Sequence, residues 1–385
     1  MNEKAFVDCI TFSGSTVATF EGQRQYLSTG ALKGNVIDYA ELEEIAFATK
    51  PSRANLNVRV GDILFAKMQN TIKVLEISDE TKDLIVSTGF FVVRPQANVD
   101  SEFILQYLNS SEFNTQKDKY CSGATQKAIN NAGLKNIEIP QFDIDTQRQI
   151  GNVLKLAIQA KSIRNEQIDV IHKLEQDLFL SMFGEPIKNT MNWSVLPLSE
   201  IAKLERGRFS PRPRNDPKYY NGDYPFVQTG DINGCDHRLS NYSQTLNELG
   251  IRVSKEFPVG TILIALVGAT VGATAILMRN VYAPDSAIGI TVDPEKCSNI
   301  FLEMQLRFWR KWLLDYAPDA ARANINLEIL SPLKVIVPPL PLQQEFEEKM
   351  KKLEELKAQL RSSLVELETT YKSTLQKAFN GELFQ

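Results

Sequence analysis

The chain has 385 residues, of which 43% are hydrophobic and 23% are charged, and its formal net charge is -4 at pH 7. This length favours two or more domains, and the composition is typical of a globular protein. The longest apolar run, Thr261–Leu277, is interrupted by glycines and is too short to span a bilayer, which excludes a membrane-spanning class. The start, "MNEKAFVDCITF", lacks the build of a signal peptide, so we expect a cytoplasmic protein.

Residues 1–140 are predicted to form a first compact domain of mixed α and β structure. Runs rich in β-formers, such as "LIVSTGFFVV", alternate with turns marked by Gly and Pro. The segment "SEFILQYLNS" predicts a short apolar helix. Together these patterns are typical of an α+β domain.

Residues 141–187 are predicted to form a long helix. The prolines of "IEIPQFDID" end one element and allow the helix to begin. A polar break near Arg164 interrupts an apolar stripe that cannot be buried by one helix alone. The stripe contains Ile150, Leu154, Ile168, Ile171 and Leu178.

Residues 188–339 are predicted to form a second α+β domain, which contains a basic loop near its start. Between Lys203 and Tyr220, six cations stand against two carboxylates, and Gly and Pro favour a loop. Guanidinium groups suit phosphate or guanine edges, and aromatic rings pack against sugars and bases. A solvated basic loop is the alternative. The candidate DNA contacts are Arg206, Arg208, Arg212, Arg214, Lys218, Tyr219 and Tyr220.

A repeated phrase indicates that the chain is an internal duplication. "FVQTGDING" at 226–234 resembles "YLSTGALKG" 200 positions earlier, and further short matches follow in the same order, with Gln147 answered by Gln343. Two interpretations of Thr29 and Thr229 stay open. The Thr-Gly pair either ends a strand, with the glycine at positive φ, or presents N–H groups and a hydroxyl to a phosphate or base.

Residues 340–385 are predicted to form a second long helix with a heptad stripe interrupted at Lys357. The two helices are equal in length and each follows its own domain, which favours packing on each other within one chain. A coiled coil between two chains is the alternative. The stripe contains Phe346, Met350, Leu353, Leu360, Leu364, Leu367 and Tyr371.

The sequence predicts no catalytic centre and no metal site. The four cysteines have no CxxC spacing, and His172 and His237 are too far apart in sequence to suggest zinc or a triad. No P-loop pattern occurs. The segment "DPKY" at 216–219 resembles the Asp-Pro-Pro-Tyr motif of amino-methyltransferases, but Lys218 replaces the second proline. A DNA methyltransferase acting alone is therefore only an alternative.

The whole chain resembles the specificity subunit of type I restriction-modification systems. The resemblance is carried by "WSVLPLSEIAKLERGRFSPRPRNDPKYYNGDYPFVQTGDI" at the opening of the second domain. It is also carried by "INNAGLKNIEIPQFDIDTQRQI" and "INLEILSPLKVIVPPLPLQQEFEEKM", which occur at the two junctions between a domain and its helix.

The resemblance implies two tandem target recognition domains, separated by two long antiparallel helices in a pseudo-two-fold intramolecular coiled coil. Each domain would read one half of a bipartite DNA target, and the helices would set the spacing. The implied partners are two adenine methyltransferase subunits and restriction subunits. Those partners would use S-adenosylmethionine, ATP and Mg²⁺, and this chain would bind no cofactor. The alternatives are a coiled-coil scaffold with no DNA role and the methyltransferase named above.

The first domain departs from the family pattern. An offset of 200 places the equivalent of Trp193 before the first residue, which predicts that this domain lacks the opening strand and the basic loop. Either its DNA contacts lie at other positions, or its edge is completed differently. The candidates are Arg24, Thr29, Lys67, Asn70 and Lys73.

Overall fold

The computed structural model describes residues 2–124, 126–316, 325–380 and 382–383. Contacts divide the chain into two compact units: unit 1 contains residues 1–166 and 361–385, and unit 2 contains residues 167–360. Each unit combines sheets and short helices with a segment of both long helices, which confirms the α+β class. The domain limits of 1–140 and 188–339 stay a prediction. No described helix is both long enough and apolar enough to cross a membrane.

Unit 1 is built on a four-stranded sheet of order β10-β9-β12-β2 and a five-stranded sheet of order β3-β8-β11-β4-β7. Its strands are β1 (Glu3–Ala5), β2 (Ile10–Phe12), β3 (Ser15–Thr16), β4 (Arg24–Leu27), β5 (Leu32–Lys33), β6 (Val36–Ile37), β7 (Glu43–Ile45), β8 (Ala54–Asn57), β9 (Ile63–Ala66), β10 (Val74–Glu76), β11 (Ile85–Ser87), β12 (Phe90–Pro95) and β13 (Glu138–Pro140). Its α-helices are α1 (Ser101–Asn109), α2 (Ser111–Lys119), α3 (Asn131–Leu134) and the start of α4 (Ile144–Phe183).

Unit 2 repeats this plan with a five-stranded sheet of order β15-β23-β20-β21-β17 and a four-stranded sheet of order β18-β16-β22-β19. Its strands are β14 (Val195–Pro197), β15 (Ala202–Arg206), β16 (Tyr220–Phe226), β17 (Arg238–Leu239), β18 (Gln244–Leu246), β19 (Lys255–Phe257), β20 (Ile262–Ala265), β21 (Thr274–Leu277), β22 (Val281–Ala283), β23 (Ala287–Val292) and β24 (Lys334–Ile336). Its helices are α5 (Leu198–Ile201), α6 (Thr229–Gly234), α7 (Glu248–Arg252), α8 (Asn299–Tyr316), α9 (Leu327–Leu330) and the start of α10 (Leu340–Phe379).

The duplicated apolar phrase forms an inner strand of each unit. In unit 1 "ILFA" is β9, between β10 and β12, and in unit 2 "ILIA" is β20, between β21 and β23. All four residues of each strand are buried. A short run of apolar residues is what a strand covered on both faces requires.

A repeated glutamine fixes each long helix to the short helix of its own unit. Gln147 Oε1 accepts a hydrogen bond from the Asp100 backbone N–H at 3.0 Å, at the N-terminus of α1. Gln343 Oε1 accepts the same bond from the Ser298 N–H at 2.9 Å, one residue before α8. Each amide nitrogen also donates to a backbone carbonyl just before its long helix, at 2.9 and 2.7 Å. We name this arrangement the glutamine clamp.

Unit 1 does contain the opening strand, although an offset of 200 between the copies had placed it before the first residue. β1 pairs antiparallel with β13, with Lys4 opposite Ile139. β14 pairs with β24 in the same way, with Leu196 opposite Val335. The expectation of a missing strand was wrong because the offset between the copies is 192 here and not 200. The connection that follows this strand is longer in unit 2, where the basic loop lies.

The long helices run antiparallel to each other within each unit. In unit 2 Glu175 of α4 contacts Lys357 of α10, and further along α4 Phe183 contacts Phe346. In unit 1 Lys161 of α4 lies 3.5 Å from Glu368 of α10. The predicted intramolecular helix pair is therefore confirmed.

Candidate nucleic-acid interface

The basic segment of unit 2 is only partly a loop. Its first residues belong to β15, which ends at Arg206, and its last residue, Tyr220, starts β16. The side chains of Arg206, Arg208, Arg212 and Arg214 are all exposed. The prediction of a continuous loop from Lys203 was wrong, because Lys203–Arg206 pairs with β23. We use the name basic loop for residues 207–219.

Asp285, in the connection between β22 and β23, holds three arginines of this region. Arg214 donates to its Oδ1 at 2.6 Å, and the Arg212 guanidinium lies 3.5 Å from Oδ2. Arg206 Nε donates to the Asp285 backbone carbonyl at 2.6 Å. Arg208 donates instead to the Ser254 carbonyl at 3.0 Å. The Asp285 carboxylate thus orients two arginines, Arg212 and Arg214, while leaving them at the surface. In the sequence Asp285 is an acid after a proline, and nothing there indicates that it contacts these arginines.

The aromatic residues of the basic loop pack mainly on one another. Phe209 is 2% exposed, and its ring lies 6.0 Å from Tyr219, 5.8 Å from Tyr220 and 5.1 Å from Phe226. The Tyr220 hydroxyl donates to the Arg214 carbonyl, and burial raises the pKa of Tyr220. The half-buried tyrosines keep an edge at the surface. Their predicted contact with bases stays a prediction.

Lys218 and Asp216 form a local structural pair. The Asp216 side chain accepts a hydrogen bond from the Lys218 backbone N–H and caps the 3-10 turn at Pro217–Tyr219. The Lys218 ammonium lies 3.0 Å from the same carboxylate and 4.9 Å from the Tyr219 ring centre. The residues that resemble a methyltransferase motif therefore serve a turn cap.

The repeated Thr-Gly phrase is a capped turn after a strand in both units. In unit 2 the Gln228 backbone carbonyl accepts from the Asp231 N–H at 3.0 Å, and the Asp231 carboxylate accepts from the Gln228 N–H, as α6 begins at Thr229. In unit 1 Ser28 Oγ accepts from the Ala31 N–H at 3.2 Å, beside Thr29. Both glycines that follow the threonines lack positive φ, so the suggested left-handed conformation was wrong.

The candidate contacts of unit 1 are mostly occupied by internal bonds. Lys67 donates to the Thr88 carbonyl at 2.8 Å and Lys73 to the Thr29 carbonyl at 2.5 Å. Burial lowers the pKa of both lysines. Thr29 and Lys73 are thus brought together, whereas Lys67 lies over the Phe91 ring at 4.4 Å.

The two other candidates of unit 1 make contacts elsewhere. Arg24, in β4, donates to the Asp83 carbonyl at 2.8 Å. Asn70 has a φ of 55° and donates its backbone N–H to Asp118 Oδ1 at 3.0 Å. Asn70 is exposed, so its side chain faces solvent.

The predicted helix stripe divides between buried and half-buried positions. The residues with 8% exposure or less are Ile150, Leu154, Ile168, Ile171, Phe346 and Met350. The half-buried ones are Leu178, Leu353, Leu360, Leu364, Leu367 and Tyr371. These apolar side chains are therefore most deeply buried near the start of each long helix and in the middle of α4, and they are less buried along the rest of α10.

Lys357, which interrupts the apolar stripe of α10, belongs to a buried ion cluster in unit 2. Lys357 is 3% exposed, and its ammonium lies 2.6 Å from Glu175 Oε1 and 2.5 Å from Asp236 Oδ2. His237 lies 2.7 Å from Glu303 and 3.4 Å from Glu175. The members of this ion cluster are Glu175, Asp236, His237, Glu303, Arg307 and Lys357.

The charges in the ion cluster stabilise one another. Burial alone lowers the pKa of His237, but Glu303 and Glu175 outweigh it and raise that pKa to about 9. Burial raises the pKa of Glu303, but Arg307 and His237 outweigh it and lower that pKa to about 2. With His237 protonated, three cations balance three carboxylates.

A metal ion would compete with a lysine in this cluster. Ligand atoms of His172, Glu175 and Asp236 lie within 4.8 Å of one another. The Lys357 ammonium already lies between the two carboxylates. Both histidines of the chain lie near Asp236, His172 at 3.0 Å and His237 at 3.7 Å, which their distance in sequence did not suggest.

Comparison with protein families gives one matching model, described as the type I restriction modification DNA specificity domain. It matches twice, at residues 16–173 and 191–368. The two matches correspond to the two halves of the duplication.

Similar curated proteins include the putative type I restriction enzyme MjaX specificity subunit of Methanocaldococcus jannaschii. It is 22% identical over 371 residues, covering 90% of this chain and 84% of that protein. The type I restriction enzyme HindI specificity subunit of Haemophilus influenzae is 20% identical, covering 84% of this chain and 86% of that protein.

Two solved structures share the fold. The S subunit of a type I restriction-modification system from M. genitalium has a TM-score of 0.58 at 16% identity, covering 98% of this chain and 96% of that one. A chain from a structure of type I R-M complex assembly and conformational transition has a TM-score of 0.63 at 19% identity, covering 99% and 98%.

Proposed function

This chain belongs to the type I restriction modification DNA specificity domain family, whose role is DNA specificity, and we propose that each of its units reads one half of a bipartite DNA target. The observation that carries the proposal is the basic loop of unit 2. Four exposed arginines lie in a region whose geometry is set by Asp285 and by the packed rings beneath. Exposed guanidinium groups on a rigid support are suited to phosphates and guanine edges.

The two units are expected to read different sequences. The segment before the shared Thr-Gly turn contains exposed arginines in unit 2, whereas the candidate lysines of unit 1, Lys67 and Lys73, are half-buried. The same supporting fold would thus present different side chains to the two half-sites. The helix pair would set the separation between these half-sites.

In this proposal the chemistry belongs to partner subunits. Two adenine methyltransferase subunits would dock on the domains and helices, and restriction subunits would join them. S-adenosylmethionine, ATP and Mg²⁺ would be used by those partners, and this chain would be a non-catalytic subunit.

An exposed apolar face on α4 supports the docking of a partner. In the part of α4 that lies in unit 1, Val153, Leu156 and Ile163 are 43%, 63% and 54% exposed. Their spacings of three and seven residues place them on one helix face. In α10 the equivalent positions at an offset of 196 are Lys349, Lys352 and Gln359, so this apolar face is a feature of the first helix.

The experiment that tests the proposed function is methylation mapping in the cell that expresses the intact system. A bipartite motif with methylated adenine in both halves, lost on deletion of this chain, is the expected result. A genome without such a motif would contradict the proposal.

A coiled-coil scaffold without a DNA role makes a different prediction. Changing Arg206, Arg208, Arg212 and Arg214 to alanine should leave a scaffold unaffected. A DNA reader should lose affinity, and the dependence of log K on log salt should become less steep by about one for each phosphate contact removed. Replacing the exposed Lys296 of the same unit by alanine serves as the control for a general change in charge.

A further inference from the structure

An open cleft of about 310 Å³ lies beside the basic loop in unit 2. Its lining includes Arg214 and Asn215 of the basic loop and the amides of Gln228 and Gln244. It also includes Phe226, which is 1% exposed. The cleft therefore combines a cation, amide groups and an apolar surface.

A second hollow, of about 230 Å³, adjoins the cleft. Both hollows are lined by Tyr220 and Gln244, so Gln244 stands where they meet. Gln244 begins β18 and is exposed. A group lying across the two hollows would meet the Gln244 amide.

One neighbouring side chain contacts the Gln244 amide. Gln228 Nε2 donates to Gln244 Oε1 at 3.0 Å. The Gln228 backbone N–H donates to Asp231 Oδ2 at 2.7 Å, and Ser243 Oγ donates to the same oxygen at 3.0 Å. Asp231, at the start of α6, thus ties down the backbone of Gln228 and the side chain of Ser243, which supports the positions from which the two amides extend.

One edge of the amide stays available to a ligand. Among the residues that the structure describes, Gln244 Nε2 has no protein partner, and Gln244 Oε1 accepts one hydrogen bond where it can accept two. The free edge therefore offers a donor next to an acceptor. The major-groove edge of adenine offers the complementary pair, the N7 acceptor and the N6 donor.

Resting on the proposed function, we propose that Gln244 reads an adenine in the half-site of unit 2. Gln228 is a positioning residue, because it acts by orienting Gln244. The arginines of the basic loop bind the neighbouring phosphates, which are common to all sequences. The amide pair thus supplies discrimination, and the basic loop supplies affinity.

The equivalent position in unit 1 carries a different group. Phe226 pairs with Gln244, and Tyr26, at an offset of 200, pairs with Glu43. Glu43 is exposed, and a carboxylate accepts hydrogen bonds only. Beside the N7 acceptor of adenine a carboxylate would be repelled, so the base edge that suits it is the N4 donor of cytosine. The same strand position would therefore read a different base in each unit.

The test uses the complete complex with its methyltransferase partners and compares the mapped motifs of wild type, Gln244→Ala and Gln244→Glu. The alanine variant is expected to lose about tenfold or more in discrimination at one adenine of one half-site. The glutamate variant is expected to prefer cytosine at that position. Glu43→Gln is the matched control, and its effects should be confined to the other half-site.

The outcomes separate this inference from the proposed function. A wild-type complex without a bipartite motif overturns the proposed function. A wild-type motif that both Gln244 variants keep with full stringency overturns the role of Gln244 alone. If a variant complex does not methylate DNA, its affinity is measured for duplexes that carry a substitution at each position of the motif. An equal loss of affinity for all of these duplexes would also contradict the role of Gln244.

Discussion

Lys357 and Glu175 form a buried ion pair between the long helices of unit 2, with 2.6 Å between the ammonium and the carboxylate. At an offset of 196 the same two positions are Lys161 and Tyr371 in unit 1. There the ammonium lies 5.6 Å from the centre of the tyrosine ring. Duplicated positions thus form an ion pair in one unit and a cation–π contact in the other.

Replacing Lys357 by methionine is expected to destabilise unit 2 by about 3–5 kcal/mol, because it leaves buried carboxylates without their cation. Lys161→Met is the matched control and should cost less than about 1 kcal/mol, since its contacts are partly exposed. Denaturant unfolding, with amide exchange assigned to each unit, measures both effects. Equal losses for the two lysines would contradict the ionic role of Lys357.

The pH dependence of unit 2 should reflect His237. Its pKa is about 9 in the folded chain against 6.5 as the ordinary value, so the protonated form is favoured by folding. This stabilisation is complete below about pH 6.5 and is lost as the pH rises through about 9. The denaturation midpoint should therefore fall over that range.

His237→Asn removes this titration and suits the φ of 53° at that position, which asparagine tolerates. The variant should be less stable at pH 6 but should show a flatter profile between pH 6.5 and 9. A midpoint that falls equally steeply in both proteins would assign the pH dependence to another group. On the acid side, Glu303 should lose its contribution as the pH falls from its ordinary value of 4.5 towards about 2.

The glutamine clamp should matter equally in both units. Gln147→Ala or Gln343→Ala leaves a backbone N–H and a carbonyl without their partner, at a cost of about 1–3 kcal/mol each. Gln344→Ala, at an exposed neighbouring position, should have little effect. Amide exchange at Asp100 and Ser298 is the sharpest measurement. Unchanged protection at these amides would show that the clamp does not hold the helix.

Asp285→Asn should loosen the basic loop, because Arg212 and Arg214 lose their shared carboxylate. We expect several-fold tighter binding to DNA of any sequence at low salt and poorer discrimination between matched and scrambled duplexes. Asp293→Asn, which removes a surface acid elsewhere in unit 2, controls for net charge. Weaker binding to both duplexes would contradict the expectation that Asp285 limits binding to DNA of any sequence.

Periodicity and repetition predicted the large features from sequence. The heptads gave both long helices, and the matching phrases located β9 and β20, because local patterns determine elements of this kind. The opening strand β1 was missed because the offset between the copies changes where one connection is longer. A single offset cannot describe two copies that differ in loop length.

Contacts between distant residues could not be predicted in the same way. In the sequence Lys357 only interrupts the apolar stripe of α10. Its partner Asp236 lies far away in the chain, on a turn of the second domain, so the sequence does not indicate their contact. Asp285 gave no sequence signal, although it orients Arg212 and Arg214. Both residues acquire their roles only when the fold brings opposite charges together.

The ion cluster also protects the helix pair against errors of alignment. A leucine stripe repeats every seven residues, so a slip of one heptad, about 10.5 Å along the axis, would still match apolar side chains to one another. Such a slip would carry Lys357 away from both of its carboxylates and leave buried charges uncompensated. The ion cluster therefore fixes the register of the two helices, which a purely apolar seam would not do. Helix pairs with a shifted register should be unstable during folding.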